Sequence, residues 1–406
     1  MTMRTRNIIL SNATLRSGNK GCVALCYSMM YLIDLILSEK GISYKLYLTE
    51  SKESAGHHEI DISGRKISYE CIDNLLLNKW KNAYKLVTGI QRYYSLYQLF
   101  RSADYIMDIG QGDSFADIYG AKRFWKIDKI HRVARWFKKP YIFLPQTIGP
   151  FKNEKLRTKA IRSMEGAKMV MVRDSQSLDY VKSLTSKAHV GEYIDVAFFL
   201  PYQKIEFSHD YIHVGLNISG LLWNGGYTKN NQFCLKADYP KAMRQAIDYF
   251  LSQPNVRLHL ISHVASGERN VESDYAVEYD LWRAYHHERL VLAPLFHTPI
   301  EAKDYIAGLD FFMGARMHAT IAAFSARVPV VPMAYSRKFN GLFVDTLHYD
   351  HLVDLKEDDE ECIIGKVKKA FEHRTTLHEE IAHSLATTVR ELKEKLKYDL
   401  TTLLCK

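Results

Sequence analysis

The chain has 406 residues, of which 47% are hydrophobic and 25% are charged, a composition typical of a globular protein long enough for two domains. Its formal net charge is +9, but the lysines and arginines are scattered, without the basic runs or interleaved aromatics of an RNA-binding module. We therefore expect no nucleic-acid partner, and the charge favours an anionic small substrate or an anionic membrane surface.

The beginning of the chain carries one long apolar segment and no obvious targeting sequence. MTMRTRNIILSNA contains only a very short apolar stretch, so we expect no signal peptide. GCVALCYSMMYLIDLIL, from Gly21, is interrupted by Asp34, and we expect it to fall short of a membrane-spanning helix and to pack on a sheet. The six cysteines form no CxxC pair, which favours a reduced, cytoplasmic protein without a zinc site.

Short apolar runs alternate with helical stretches along the chain, which predicts parallel βαβ units. The predicted strands are 7–10, 43–48, 105–109, 141–144 and 169–172, followed by 213–216, 257–261, 289–291, 311–313 and 328–333. The predicted helices include 21–39, 154–165, 176–184 and 240–252. The fold class is therefore α/β.

The strand–helix alternation is interrupted near residues 199–208, where LPYQKIEFS carries a proline and mixed polarity. We place a domain boundary there and predict two Rossmann-like domains with parallel sheets, residues 1–203 and 204–375. Residues 376–406 have apolar side chains at helical spacing, which predicts a long C-terminal amphipathic helix.

Ligands of open parallel sheets bind at the carboxyl ends of the strands. The turn SGNKG, with Asn19, follows the first predicted strand and opens a helix whose N–H groups suit an anion. In MDIGQGDSFADIYG, Gly110 and Gly112 let the backbone approach a ligand, and Asp113 or Ser114 is predicted to cap the next helix.

Two further strand ends of the first half carry polar side chains. Gln146 and Thr147 lie between prolines in LPQTIGPF, an arrangement that holds them rigidly. In MVMVRDSQS, Asp174 or Ser175 is predicted to cap the following helix. That interpretation leaves Arg173 free to bind an anion through two parallel hydrogen bonds.

In the second half, GARMH places Arg316 and His318 where a strand becomes a helix. The positive end of the helix dipole favours neutral imidazole, which can act as a base or hydrogen-bond an oxyanion. Arg173 and Arg316, one from each half, are predicted to face each other across an interdomain cleft. Such a pair suits a small, doubly charged substrate.

GQGDSFADIYG, LPQTIGPF, VRDSQS, IDVAF, ISHV and GARMHATIAAFSARVPVVPMAYSRK occur in this order. With this series, the chain resembles the polysaccharide pyruvyl transferase family over roughly residues 7–343. The resemblance implies a GT-B-like fold whose C-terminal helix, residues 376–406, crosses back to the first domain. It also implies transfer of a pyruvyl group from phosphoenolpyruvate to two sugar hydroxyls, giving a cyclic ketal and phosphate. The implied acceptors are sugars of cell-surface polysaccharides, such as exopolysaccharide or capsule, and we expect a lipid-linked precursor.

The resemblance also implies roles for individual residues. Arg173 and His318 are the predicted catalytic residues, and the predicted donor-binding residues are Arg173, Arg316, Met317, His318 and Lys338. Met317 replaces the family's usual leucine, a change that conserves volume. A group that titrates near neutrality is needed for proton transfer, which His318 fits.

Other residues are predicted to contact substrate. They are Asn19, Gly110, Asp113, Gln146, Thr147, Asn217 and His263. His263, in ISHV, is a second candidate for proton transfer, with a structural role as the alternative. Gln111 stands where the family usually has a glycine. The route requires neither a metal nor a cofactor.

Two other functions compete with pyruvyl transfer. A GT-B nucleotide-sugar glycosyltransferase of surface polysaccharide synthesis also needs anion-binding groups in the cleft, so the fold does not separate the two. A non-catalytic binding protein is the second alternative. The positive charge suggests peripheral contact with the inner face of the plasma membrane, and an incidentally basic cytoplasmic enzyme is the competing interpretation.

Overall fold

The computed structural model describes residues 5–49, 56–72, 97–265 and 270–405. The chain forms two compact units. The first comprises Met1–Arg16, Leu25–Phe199 and Glu391–Lys406, and the second comprises Ser17–Ala24 and Leu200–Arg390.

These bounds differ in detail from the predicted domains. The first unit ends at Phe199 rather than at residue 203, residues 17–24 group with the second unit, and the return to the first unit begins at Glu391 rather than at residue 376. Each unit is an α/β structure built on a mostly or wholly parallel sheet, as predicted.

The first unit is built on strands β1 (Arg6–Ser11), β2 (Tyr44–Leu48), β3 (Gly56–Ile62), β4 (Arg65–Cys71), β5 (Tyr105–Asp108), β6 (Tyr141–Gln146), β7 (Met169–Val172) and β8 (Val190–Glu192). Their order is β3-β4-β2-β1-β5-β6-β7-β8. Only β3 and β4 pair antiparallel among them. The order reverses between β1 and β5, where Ser11 lies opposite Asp108.

The second unit is built on strands β9 (Ile212–Asn217), β10 (Val256–Leu260), β11 (Leu290–Leu292), β12 (Phe311–Gly314), β13 (Val330–Ala334) and β14 (Val353–Asp354). Their order is β11-β10-β9-β12-β13-β14, with parallel neighbours throughout. Here the order reverses between β9 and β12. Ligands of doubly wound sheets bind outside the strand ends at such a reversal.

Helices connect these strands. The described α-helices are Lys20–Glu39, Ala121–Trp136, Glu154–Glu165, Ser175–Leu184, Gly220–Trp223, Tyr239–Ser252, Asp274–Tyr285, Pro299–Ala307, Met317–Ser325, Arg337–Phe339, Glu360–Glu372, Arg374–Ser384 and Arg390–Leu404. Short 3₁₀ or π-helical stretches lie at Gly110–Gly112, Val196–Phe199, Asn340–Thr346 and Leu385–Val389. The side chains of Asn153, Asp174 and Asp238 cap three of the helices by accepting a backbone N–H, which satisfies one of the donors that a helix start leaves open.

Helix Lys20–Glu39 corrects one expectation. By length and composition it is apolar enough to cross a membrane, with a mean hydropathy of 1.7 in its most apolar window, so the prediction that it falls short was wrong. However, 72% of that window is buried inside the protein. A core helix that packs on a sheet, as predicted for this segment, is typically buried to this extent.

The end of the chain packs on the first unit. The side chains of Leu396 and Leu400 are fully buried. The Tyr193 hydroxyl donates to Asp399 at 2.6 Å, and Lys393 Nζ donates to the carbonyl of Phe198 at 3.2 Å. The last helix therefore contributes to the core of this unit.

We expect Leu396→Ala to lower the free energy of unfolding by about 2–5 kcal/mol, because a fully buried leucine leaves a cavity. Tyr398→Ala is the matched control, since Tyr398 lies two residues away and is 72% exposed. That control should stay within about 0.5 kcal/mol of the wild type. Urea denaturation followed by circular dichroism measures both. Equal effects of the two substitutions would show that this helix does not pack as described.

Candidate functional site

The sheet of the second unit reverses its order between β9 and β12. Gly314 at the end of β12 lies opposite Asn217 at the end of β9. A Cβ atom on Gly314 would lie 2.8 Å from Cβ of Asn217, so glycine is needed for this close approach. The Asn217 side chain then accepts the backbone N–H of Arg316 at 3.0 Å. Both predicted residues therefore meet at the reversal.

Arg316 is held by a buried carboxylate. Its Nε and Nη2 atoms donate to Asp274 at 2.8–3.2 Å, and Nη2 also donates to the carbonyl of Glu272 at 2.7 Å. Burial alone lowers the pKa of Arg316, but Asp274 outweighs it, so the net pKa is raised and the guanidinium stays charged. Nη1 makes no hydrogen bond to the residues that the structure describes, which leaves it for a ligand.

Asp274 also connects several strand ends. Its carboxylate accepts the backbone N–H groups of Gly220 at 2.9 Å, Val264 at 2.9 Å and His263 at 3.2 Å. It further accepts the side-chain amide of Asn217 at 3.2 Å. Asp274 was not predicted from the sequence, because an acid in the first turn of a helix is usually explained by the helix dipole.

A second buried acid, Glu278, lies beside Asp274. It accepts the backbone N–H of Ile218 at 2.9 Å and the hydroxyl of Ser262 at 2.5 Å. Burial, reinforced by the charge of Asp274, raises the pKa of Glu278 well above its usual value. Both carboxyl groups are held in this buried position by several hydrogen-bond donors.

His318 is the second residue of helix Met317–Ser325 and is half-buried. A Cβ atom on Gly21 would lie 2.4 Å from Nδ1 of His318, so the imidazole lies directly against the Gly21 backbone. Gly21 is within helix Lys20–Glu39, and its N–H donates to the Asn19 side chain at 3.0 Å. Gly21, the last residue of the SGNKG segment, thus provides room for His318.

His263 lies buried in the same part of the second unit. Burial, together with the electrostatic interactions with His318, Arg316 and Lys20, lowers the pKa of His263 well below its usual value, which favours its neutral imidazole. The Lys20 backbone N–H donates to the His263 carbonyl at 3.0 Å, and Lys20 Nζ donates to the carbonyl of His297 at 2.9 Å. Sequence analysis missed Lys20, which looked like one of many scattered lysines.

Lys338 and Met317 complete the predicted set in this unit. Nζ of Lys338 lies 5.3 Å from the ring centroid of Tyr335, whose phenol is close enough to Arg316 to affect its pKa. Met317 is only 4% exposed. Lys338 therefore adds positive charge near Arg316, whereas the Met317 side chain packs in the core.

In the first unit, the turn after β5 uses three left-handed residues in a row. Gly110 has φ 52°, Gln111 has φ 49° and Gly112 has φ 89°. A Cβ atom on Gly110 would lie 1.9 Å from Oε1 of Gln146, and that buried oxygen accepts no hydrogen bond from the described residues. Gly110 therefore allows a close approach to its backbone, as predicted, but the group that makes this approach is the Gln146 side chain.

Asp113 and Ser114 do not cap the next helix, contrary to prediction. That helix, Ala121–Trp136, begins seven residues after Ser114. Asp113 instead accepts the hydroxyl of Tyr119 at 2.9 Å, and the Ser114 hydroxyl accepts Nη2 of Arg123 at 3.0 Å. Both residues stabilise the turn.

Arg173 is also paired, so the prediction that it is left free was wrong. It is 1% exposed, its Nη1 donates to Asp195 at 2.6 Å, and its Nε donates to the Thr147 hydroxyl at 3.0 Å. Asp174 caps the following helix as predicted. The partner that sequence analysis missed, Asp195, lies in IDVAF. A guanidinium that is almost fully buried requires such a carboxylate.

A buried histidine lies beneath the turn after β5. Nε2 of His131 lies 2.9 Å from Asp108, and Nδ1 lies 3.4 Å from Asp128. Burial alone lowers the pKa of His131, but the two carboxylates outweigh it and raise the net value. His131 fixes Asp108, whose other oxygen accepts the Gly110 N–H at 3.0 Å.

The family model for polysaccharide pyruvyl transferases matches residues 19–337. The chain belongs to this family. The match contains all the predicted site residues except Lys338, which lies one residue beyond it. No curated protein sequence matches the chain significantly. Membership makes the protein a transferase of polysaccharide pyruvylation.

Solved structures of low sequence identity share the fold. Sucrose-phosphate synthase from Thermosynechococcus elongatus aligns with a TM-score of 0.58 at 9% identity, covering 98% of each chain. A putative UDP-N-acetylglucosamine 2-epimerase from Listeria monocytogenes gives 0.58 at 12% identity, covering 94% of this chain and 91% of its own. Anabaena HepE in complex with UDP gives 0.56 at 10% identity, covering 98% and 100%. The predicted GT-B-like fold is confirmed, and the predicted interdomain cleft stays a prediction.

The contact between Gly21 and His318 gives a test of this pyruvyl transferase site. Gly21→Ala should displace the imidazole, because the added Cβ would lie 2.4 Å from its Nδ1. We expect turnover to fall roughly tenfold or more, since small displacements of catalytic groups are costly. Gly365→Ala is the control, because Gly365 is also helical and its added Cβ would meet nothing within 4 Å. Unchanged turnover in Gly21→Ala would separate His318 from the reaction.

Proposed function

We propose that this protein transfers a pyruvyl group from phosphoenolpyruvate to two hydroxyls of one sugar, forming a cyclic ketal and releasing phosphate. The observation that carries the proposal is the cluster of Lys20, His263, Arg316 and His318 near the sheet reversal of the second unit. The Lys20 N–H donates to the His263 carbonyl, the neighbouring Gly21 lies against His318, and the Arg316 N–H donates to Asn217. Phosphoenolpyruvate carries a phosphate and a carboxylate, so it suits a site where the cations of Arg316 and Lys20 lie near two imidazoles that can form hydrogen bonds. Family membership supports the same reaction class.

Arg316 is proposed to bind the donor through Nη1. Its guanidinium is oriented in advance by Asp274, so little rearrangement is needed when the anion binds. Lys20 and Lys338 add positive charge nearby. In the first unit, Arg173 stays a proposed donor-binding and catalytic residue on the family resemblance, and its pairing with Asp195 fixes its orientation.

His318 is proposed to transfer the protons. The methylene carbon of phosphoenolpyruvate takes a proton through its double-bond electrons, which leaves an oxocarbenium-like centre at the adjacent carbon. One sugar hydroxyl adds there and loses its proton. The second hydroxyl then forms the other carbon–oxygen bond at the same carbon and loses its proton. The bond from that carbon to the phosphate oxygen breaks, and phosphate leaves. Neutral His263 is proposed to donate or accept a hydrogen bond, and the route needs no metal or cofactor.

The acceptor is proposed to be a lipid-linked sugar, and the enzyme is proposed to act in the cytoplasm at the inner membrane face. The net charge of +9 supports contact with anionic lipid, since each lysine or arginine near such a surface contributes about 1 kcal/mol. A lipid-linked acceptor would be present at the same surface.

We expect His318→Ala to lower phosphate release from phosphoenolpyruvate by roughly 10²–10⁴ while the fold is kept, because a general acid–base catalyst is lost. His209→Ala, which changes an exposed histidine of the same unit, is the control and should retain activity. The assay supplies phosphoenolpyruvate with a panel of lipid-linked or model glycosides and follows phosphate release and the mass added to the sugar. Activity of His318→Ala within a few fold of wild type would remove this residue from the mechanism.

A nucleotide-sugar glycosyltransferase is the second candidate function. The observation in its favour is the fold shared with HepE, which was solved with UDP. Thermal unfolding discriminates the two, because a ligand at 100 times its Kd stabilises by about 2.7 kcal/mol. We expect the melting temperature to rise with phosphoenolpyruvate and not with UDP. A rise with UDP alone would favour the glycosyltransferase.

A further inference from the structure

A cavity of about 490 Å³ lies in the second unit, outside the cluster around His318. It is bordered by helices Gly220–Trp223, Tyr239–Ser252 and Asp274–Tyr285. Its lining residues are Trp223, Asn224, Lys229, Arg244, Asn270, Val271, Ser273, Ala276, Val277, Asp280, Leu281 and Ala284. The volume is that of an ordinary small-molecule site.

One part of the lining is aromatic and aliphatic. Trp223 is half-buried, and the Arg244 guanidinium lies 4.7 Å from its ring centroid. Val277 and Leu281 add buried aliphatic surface. A sugar ring has C–H groups on its faces, which pack well on indole and aliphatic surfaces.

The rest of the lining is polar and carries both charges. Asn224, Asn270 and Asp280 offer amide and carboxylate groups that suit sugar hydroxyls. The Asn224 amide is fixed, because its Nδ2 donates to the carbonyl of Gly220 at 2.8 Å. Lys229 and Arg244 add two cations to one carboxylate, and this excess of positive charge suits an anionic substituent.

The loop that presents Lys229 is held in a costly conformation. Lys229 is left-handed with φ 57°, and Gly226 has φ 86°. A Cβ atom on Gly226 would also lie 2.6 Å from Cβ of Gln232, so this position requires glycine. Left-handed non-glycine residues cost roughly 1–3 kcal/mol and are concentrated at ligand-binding positions.

The same loop connects the cavity to the site of Arg316. The hydroxyl of Tyr227 donates to the Glu272 carboxylate, and the Glu272 carbonyl accepts Nη2 of Arg316 at 2.7 Å. Asn270 and Ser273, on either side of Glu272, line the cavity. One short segment therefore borders the cavity and fixes Arg316.

We propose that this cavity binds a sugar that carries a phosphate ester. Trp223 and the amides of Asn224 and Asn270 contact the sugar ring. Lys229 and Arg244 bind the phosphate. A free sugar would contact only the aromatic and amide residues of the cavity, and inorganic phosphate would contact only the two cationic side chains. The further assignment of this sugar phosphate as the acceptor end of the transferase substrate rests on the proposed function.

The test is calorimetric titration of the full chain with glucose 1-phosphate, with glucose and with inorganic phosphate. We expect glucose 1-phosphate to bind at least tenfold more tightly than either of the other two. Trp223→Leu and Lys229→Gln should each weaken that binding about tenfold. The matched controls are Trp282→Leu and Lys204→Gln, which change an exposed tryptophan and an exposed lysine of the same unit outside the cavity, and both should bind as wild type.

Equal affinity for glucose 1-phosphate and inorganic phosphate would overturn the proposal. Wild-type affinity in folded Trp223→Leu and Lys229→Gln would overturn it as well. If Trp223→Leu does not fold, Asp280→Asn takes its place, since Asp280 is exposed. Thermal unfolding with phosphoenolpyruvate on the same samples separates the two proposals. Sugar-phosphate binding without any response to phosphoenolpyruvate would contradict the pyruvyl donor and leave the cavity ligand supported.

Discussion

The buried ion pair between Asp274 and Arg316 is the interaction on which the second unit's site depends. Asp274 is fully buried, so its charge is tolerated only because a guanidinium and several N–H donors surround it. Those donors come from the segments that follow β9 and β10, and Arg316 follows β12. Removal of either partner would leave an uncompensated buried charge, which costs about 3–5 kcal/mol. The pair thus fixes the strand ends and the arginine together.

Much of the fold is predictable from the sequence because parallel strands buried on both faces are continuous apolar runs. VMV and IFL have this pattern, and β7 and β6 form there. The hairpin of β3 and β4 was missed, because GHHEIDI alternates exposed polar residues and lacks such a run. Its turn, at Ser63 and Gly64, has two positive φ angles, as in a tight two-residue hairpin. The dipeptide Ser-Gly by itself was not enough to predict this hairpin from the sequence.

The part of the site that could be predicted from the sequence is the set of residues at the carboxyl ends of the strands. The carboxyl ends of parallel strands share an edge, so Asn217 and Arg316 could be predicted to lie at the same edge of one sheet, while their direct contact depends on the observed pairing of β9 with β12. Their partners were not predictable, because pairing depends on side-chain contacts between distant segments. Lys20 meets His263 across more than 200 residues, and Asp195 reaches Arg173 from a loop. Buried acids in helix first turns also look like ordinary dipole partners in a sequence.

Both units contain the same kind of buried ion pair. Each has an arginine just after a buried strand and a buried aspartate that pairs with it, Arg173 with Asp195 and Arg316 with Asp274. Because each pair is nearly neutral overall, neither supplies much long-range attraction for an anion. What each supplies is a guanidinium of fixed direction, held in a region of low dielectric where a hydrogen bond to charge is strong. For the proposed anionic donor, attraction over distance would then come from more exposed groups such as Lys338, and the proposed role of the paired arginines is to set the orientation of the anion.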